Sequence, residues 1–462
     1  MRAAAIVASA LLLAVAPACA LSPYDLFFRS EANAMLLGGG DMPGDLQGQP
    51  DLRRPTTLLQ LERPVARLDV CSQTPLELTS AQGTRGRWRS HLVRAAWLSP
   101  LGEDERWALA VELGMVKDAI GSAGQDDALR AQIDGHSACV AAACRPAEGW
   151  RAGAAYSWGA SEGSARGTTV AELLDLPEDA PRWPTIDVED RALVLSLAED
   201  DGPWQWAVLA GRSDPAATLM VRRARYDYSA PMEAGARWQE AWVGHRQGRV
   251  QWWALARDYH ASGDGSIYLG AVGRGDVRFS ADDRSLALGL RIEDRRATTQ
   301  AQVDWRTSRF STGLQGYAGL LPGISTDVHT LSAGARAHIG SIRLGHTRHL
   351  AGNWSWALST SAHRAELGAD AVIRRMSGLG SNPITEAEAH LTGGELRLWA
   401  LTAGLVYADE HLRAILTGTA GLAQTNTALE GFLDGEDGDG ADGAGRRLRV
   451  RPLITSSLEW RF

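Results

Sequence analysis

Residues 447–462 read RLRVRPLITSSLEWRF. At a period of two, Leu448, Val450, Ile454, Leu458, Trp460 and Phe462 fall on one face. Arg447, Arg449, Arg451, Thr455, Ser457, Glu459 and Arg461 fall on the other. The pattern predicts a strand with one apolar and one polar face. Pro452 cannot donate to a ladder and marks an edge, a bulge or a part of the strand outside a membrane.

The same alternation recurs upstream. Residues 106–115 set Trp107, Leu109, Val111, Leu113 and Met115 against Arg106, Ala108, Ala110, Glu112 and Gly114. Residues 285–293 set Leu286, Leu288, Leu290 and Ile292 against Ser285, Ala287, Gly289, Arg291 and Glu293. In residues 298–306 the polar side is Thr298, Gln300, Gln302, Asp304 and Arg306, and in residues 411–422 it is His411, Arg413, Thr417 and Thr419. These polar faces carry charge, which a dry sandwich core would refuse and a water-filled or polar lumen accepts. With weaker segments included, the chain reads as about eighteen strands, sixteen or fourteen remaining open.

The ending resembles the terminal strand of Gram-negative outer-membrane β-barrels, at the level of the superfamily and no narrower family. Leu458, Trp460 and Phe462 match the aromatic-ended signal that such barrels present to the barrel-assembly machinery, and Pro452 departs from it. The resemblance implies an all-β fold, a closed antiparallel transmembrane β-barrel of about sixteen to eighteen strands with long extracellular loops.

Bulk properties agree with this. The 462 residues suffice for one large barrel or two to three ordinary domains. Mean hydropathy is -0.19, and no segment beyond the first twenty residues approaches the run of about twenty apolar residues that a spanning helix needs. A barrel escapes that requirement, because only alternate residues face lipid. The chain uses 17 tryptophans, and Trp88, Trp107, Trp150, Trp158, Trp204, Trp305, Trp354 and Trp460 sit near strand ends, where interfacial girdles form. Tryptophans capping a soluble β core are the alternative.

Residues 1–20, with Arg2, an apolar run and Ala18-Cys19-Ala20, predict a secretory signal peptide cut after Ala20. Lipidation at Cys19 is the rival, and Ala16-Pro17-Ala18 is a poor approach to it. Residues 21–85 read as an irregular lead-in, a periplasmic segment or a plug, and 86–462 as the barrel. Loop lengths, taken backwards from the end, alternate long (425–446), short (408–410), long (364–394) and short (350–353). Farther upstream the alternation fades, and residues 117–148 land as a long piece on the periplasmic side, which means either that a strand is miscounted there or that the piece is a periplasmic insertion.

Net charge is -8 and Lys117 is the one lysine, which argues against a nucleic-acid partner. Cys139 and Cys144 are the nearest cysteines, and a disulfide between them requires a non-helical loop, with Cys71 to either as the alternative. His136 lacks a second ligand cluster, so no metal and no cofactor are expected. Gly159-Ala160-Ser161-Glu162-Gly163 matches a nucleophile elbow, yet no parallel α/β pattern supports it and a Ser/Gly-rich external loop is the better reading. The acidic tract at 434–443 lacks EF-hand spacing and reads as a solvated loop. His346 and His349 have no partner motif, so an enzyme is not expected.

Arg291, Arg306, Arg413, Arg447, Arg449 and Arg451 fall on lumen parity. Such arginines either favour anionic solutes in a pore or pair with Glu293, Asp304 and Glu459 to stiffen the wall. The expected function is a porin-like passive channel in the outer membrane for small polar solutes, anionic ones where the first reading of the arginines holds. The alternative is a non-conducting barrel: a surface adhesin, an export or assembly component, an autotransporter-like translocator, or an outer-membrane hydrolase. The expected partners are outer-membrane lipid, the assembly machinery and small polar solutes. The sequence leaves the oligomeric state open.

Overall fold

The computed structural model describes residues 50–73, 76–79, 85–102, 106–123, 130–166, 185–199, 202–222, 227–269, 273–321, 324–377, 383–428, 447–450 and 453–462. All nineteen strands belong to one antiparallel sheet. β1 (Val65–Gln73) and β2 (Leu76–Thr79) are two pieces of one stave, as are β8 (Trp204–Ser213) with β9 (Ala216–Arg222) and β18 (Arg447–Val450) with β19 (Leu453–Arg461). The sequence has a proline between the pieces in each case, Pro75, Pro215 and Pro452, and proline has no N–H to give to a ladder.

The undivided staves are β3 (Arg85–Leu101), β4 (Trp107–Ala123), β5 (Arg130–Ala147), β6 (Trp150–Arg166), β7 (Thr185–Glu199), β10 (Asp227–Gln247) and β11 (Val250–Leu269). They continue through β12 (Gly273–Asp294), β13 (Ala297–Leu321), β14 (Ile324–His349), β15 (Trp354–Ser377), β16 (Pro383–Ala408) and β17 (Leu412–Thr425). Successive staves pair with one another, and β1 closes on β19 from Val65↔Arg461 to Ser72↔Ile454. The result is a closed barrel of sixteen staves.

Short turns gather at the end that holds Val65 and Phe462. Gly102, Gly149, Gly202, Gly248 and Gly352 occupy five of these turns with φ between 59° and 93°, the region open to glycine. The opposite end is built by the strands themselves, since β13 runs for 25 residues and β14 and β16 for 26 each.

Several sequence expectations need correction there. Residues 364–394 are not a long loop: β15 continues to Ser377 and β16 starts at Pro383. Charged residues above the belt erase the period-two contrast, but backbone pairing continues. Residues 117–148 are no periplasmic insertion, because β4 and β5 pair from Trp107↔Cys144 to Gly121↔Arg130 and meet at the far end. Gly159 to Gly163 lies mid-strand in β6, paired on both sides, rather than in a loop. The wall also begins at Val65, upstream of residue 86, because the stave interrupted at Pro75 completes the ring.

Outward positions form an apolar belt, with Leu109, Val111, Leu113 and Met115 on β4 and Leu286, Leu288, Leu290 and Ile292 on β12 all exposed. In water such a patch would mark an interaction surface; around a closed barrel it is the lipid face. From Trp107 to Met115 the strand rises ~27 Å, or ~21 Å along the axis at a tilt of about 40°. Aromatic residues ring its short-turn edge: Trp150 meets Trp206 edge-on at 5.6 Å, Trp204 meets Trp252 at 5.2 Å, and Trp354 meets Tyr407 at 5.1 Å. Charge begins at the other edge, with Arg284 bonded to Asp258 at 2.8 Å and Glu395 to Arg364 at 2.9 Å.

Candidate functional site

The lumen is the place where polar chemistry collects, and the chain itself enters it. Residues 50–61 precede β1 and carry a 3-10 helix, Pro55–Gln60. Pro55 at its start has the fixed φ that suits a first helical turn. The turn before it is closed by Arg54 N donating to the Asp51 carbonyl at 2.8 Å, and by the Thr57 hydroxyl donating to the Arg54 carbonyl at 2.8 Å.

The wall makes room for this helix with small side chains. Leu58, Leu59 and Leu61 pack on Ala108 and Ala110 of β4, Ala141 and Ala143 of β5, and Ala155 of β6. At Gly153 a Cβ would lie 2.9 Å from the Pro55 carbonyl carbon and from Thr56 N, so the backbones touch where only glycine fits. Polar bonds then pin the segment. Glu240 of β10 forms a buried ion pair with Arg54 and accepts from Arg257 at 2.6 and 3.1 Å. Thr56 N donates to Ser196 Oγ at 3.2 Å, Arg145 to the Leu59 carbonyl at 3.0 Å, and Arg67 to the Pro50 carbonyl at 3.0 Å. Arg67 also reaches Glu112 at 3.2 Å.

The facing wall, β12 to β19, carries uncharged polar side chains inward. Gln300, Gln302, Ser359, Ser361, Thr402, Thr417 and Thr455 are all at most 4% exposed. Thr402 bonds Thr419 at 2.7 Å, and Thr417 bonds Thr455. Charged groups there occur as pairs: Arg306 donates to Asp283 at 2.7 Å, and Arg343 pairs with Asp304. Neither amide atom of Gln300 has a hydrogen-bond partner among the described residues.

Arg291 and Arg306 lie on β12 and β13 facing inward, Arg291 paired with Glu293 at 2.5 Å. Arg413 stands opposite Glu459 across β17 and β19, and Glu459 accepts from Arg461 at 2.9 Å. Arg306 pairs with Asp283, and Asp304 is engaged by Arg343. Arg447 and Arg449 lie on β18, with side chains outside the described set; Arg451 lies outside the described residues, as do residues 1–49 and the acidic tract. Trp460 and Phe462 face outward, 40% and 64% exposed, and Phe462 stacks on Trp97 at 5.3 Å. Its N–H donates to the Pro64 carbonyl at 3.0 Å, tying the end across the seam.

A Cys139–Cys144 disulfide is not formed. Both lie on β5, where positions five apart face opposite sides, so Cys139 points to the lumen helix while Cys144 points to lipid. His136 stacks on Trp158 at 5.1 Å, and His346 bonds Thr299 at 2.9 Å. Among the described residues no group of three His, Cys, Asp or Glu could hold a metal. His363, which the sequence reading did not single out, bonds Ser341 at 2.8 Å, with both buried in the wall. Their inward parity was the available signal. Asp304 flanks Ser341 on the other side and is engaged by Arg343.

No family model matches the chain, and no curated protein matches it. Among solved structures, CdiB from Acinetobacter baumannii is 10% identical with a TM-score of 0.43, covering 87% of this chain and 60% of its own. The chain therefore spans less than two thirds of that protein. The P. putida toluene transporter TodX is 13% identical with a TM-score of 0.42, covering 95% of this chain and 99% of its own. The ferric yersiniabactin uptake receptor FyuA from Yersinia pestis is 11% identical with a TM-score of 0.34, covering 87% of this chain and 80% of its own. The barrel itself rests on the pairing of its own strands.

Proposed function

We propose that the protein is an outer-membrane transport channel for small polar solutes, with a lumen narrowed by residues 50–61. The observation that carries this reading is the polar inner wall from Gln300 to Thr455, set back to back with the apolar belt. These hydroxyls and amides are shut off from solvent while the pinned segment fills the lumen, so conduction requires that segment to shift, and they are the groups an opened path would present to a solute. In this reading the short-turn end lies in the periplasm and the extended strands project outside. Anion preference is the finer proposal, suggested by the arginine-rich sequence at Arg447, Arg449 and Arg451, the first two of which lie on β18 where it pairs with β2. The pinned segment favours a second reading, a barrel that stays closed and serves surface adhesion or export.

Single-channel recording of the refolded protein in a planar bilayer tests the first reading, with heat-modifiable gel migration reporting the folded barrel. Stable steps that scale with salt are expected. Folded protein without conductance overturns the channel and leaves the closed barrel. Reversal potentials showing cation preference remove the anion proposal alone.

A further inference from the structure

The lipid-facing surface carries a cationic rung that the transport reading does not use. Following cross-strand partners on the outward face, Arg212 of β8 stands opposite Arg237 of β10, then come His260 of β11, Asp282 of β12, Arg309 of β13 and Arg336 of β14. Six neighbouring strands span ~24 Å. Two of the contacts, Arg212 with Arg237 and Arg309 with Arg336, place like charges directly opposite, which destabilises a sheet unless something neutralises them.

The available counter-charges are already engaged or turned elsewhere. Arg212 bonds Asp214 at 3.0 Å, and Asp282 is bonded by His260 at 2.8 Å. Arg237, Arg309 and Arg336 are exposed and make no ion pair among the described residues. Arg336 lies over Gly368 of β15, where a Cβ would meet its Nε at 2.7 Å. The acids on either side of Gly368, Glu366 and Asp370, do not pair with it.

Directly below the rung, toward the belt, lies an open groove of about 610 Å³, within the range of ligand clefts, ~300–1,000 Å³. Ala210, Ala241 and Ala256 are its floor, Leu195 and Val208 its apolar wall, and Arg284 part of its rim. The second row below the rung, Val208, Ala241, Ala256, Leu286 and Trp305, runs straight into the apolar belt. Alanines on a lipid face leave a depression between larger neighbours; the cations sit one pleat above Ala210 and two above Ala241 and Ala256, at headgroup height, beyond the row in which Asp258 is bonded to Arg284.

We propose that this face binds a phosphorylated, acylated lipid, with its phosphate on Arg237, Arg309 and Arg336 and an acyl chain in the alanine-floored groove. A free phosphate would answer the charge and leave the groove empty. A lipid fills both, because the charge and the groove are stacked in the order of headgroup and chain. The site needs only the barrel in its bilayer, so it stands independently of conduction.

The test titrates the detergent-purified full-length barrel with lipid A or with phosphatidylcholine and counts bound lipid by native mass spectrometry. Heat-modifiable migration verifies that each variant is folded. Lipid A is expected to bind more tightly than phosphatidylcholine, and the triple variant Arg237→Gln, Arg309→Gln, Arg336→Gln to lose about a hundredfold in lipid A affinity. Ala241→Trp, which fills the groove and leaves every cation in place, is expected to weaken lipid A about tenfold through lost chain burial. A triple variant that keeps the wild-type preference overturns the proposal, as does an Ala241→Trp variant that binds as wild type. Inorganic phosphate that displaces lipid A completely overturns the acylated-lipid assignment and leaves a simple anion site.

Discussion

Asp409 shows how much one carboxylate can organise at a strand junction. Its oxygens accept from the Tyr407 hydroxyl at 2.7 Å and from the backbone N–H groups of His411 and Leu412 at 2.8 and 2.7 Å, closing the turn between β16 and β17. The Tyr407 bond first, and then the two amides, hold its pKa below the usual carboxylate value. Because the folded pKa is depressed, the contribution to stability is present above the unfolded pKa and is lost as pH falls through the folded one. Thermal melts followed between about pH 6 and pH 2 should show a smaller loss on acidification for Asp409→Asn than for the wild type. Equal losses would mean that the turn is held by its backbone alone. Asp409 was readable as part of a short turn, but its three donors were not, since they converge only once Tyr407 and Leu412 are brought face to face by Tyr407↔Ala414 pairing.

At the scale of elements, the segment at residues 50–61 and its anchor decide what the lumen can do. Glu240 balances two arginines, and the pair with Arg54 is buried on both sides. Removing the acid takes the nearest counter-charge from buried Arg54 and leaves it Asp51 at 4.0 Å, so the cost approaches the ~3–5 kcal/mol of a broken buried pair. Glu240→Ala should therefore release the helix, raise the open-state conductance and speed labelling of lumen-facing Cys139 by a membrane-impermeant thiol reagent. Unchanged conductance together with unchanged labelling would show that the apolar contacts of Leu58 and Leu59 hold the helix unaided. Residues 50–61 show no period-two pattern, and nothing local in them marks the partner of Arg54, which lies 186 residues away. β5 was missed for a local reason. Its Ala138 to Ala143 run offers no contrast between faces, since alanine suits both the lipid side and the cramped side under the helix.

For the whole molecule, the belt sets where charge is tolerated. Leu288 faces lipid in mid-belt, two pleats from Arg284 on the same strand and the same face. Leu288→Arg should destabilise the barrel in vesicles by about 2–4 kcal/mol, measured by denaturant unfolding with tryptophan fluorescence. Arg284 lies beyond the edge, so Arg284→Leu should change stability by less than about 1 kcal/mol, the usual worth of an exposed pair. Similar costs at both positions would place the belt edge elsewhere.

Period-two alternation in short windows determined that this chain is all-β, that each strand has a lipid face and a polar face, and that arginines at 291, 306 and 413 face inward. Those properties depend on the pleat, whose period is local. The tertiary structure alone decided the sixteen staves, the seam of β1 with β19, the helix inside the lumen and the cationic rung outside it. β14 runs unbroken from Ile324 to His349, because a hydrophobic pattern stops at the membrane edge while hydrogen bonding runs on. Register is a relation between strands distant in sequence. Arg309 and Arg336 become neighbours only through it, and no window short enough to show a period contains both.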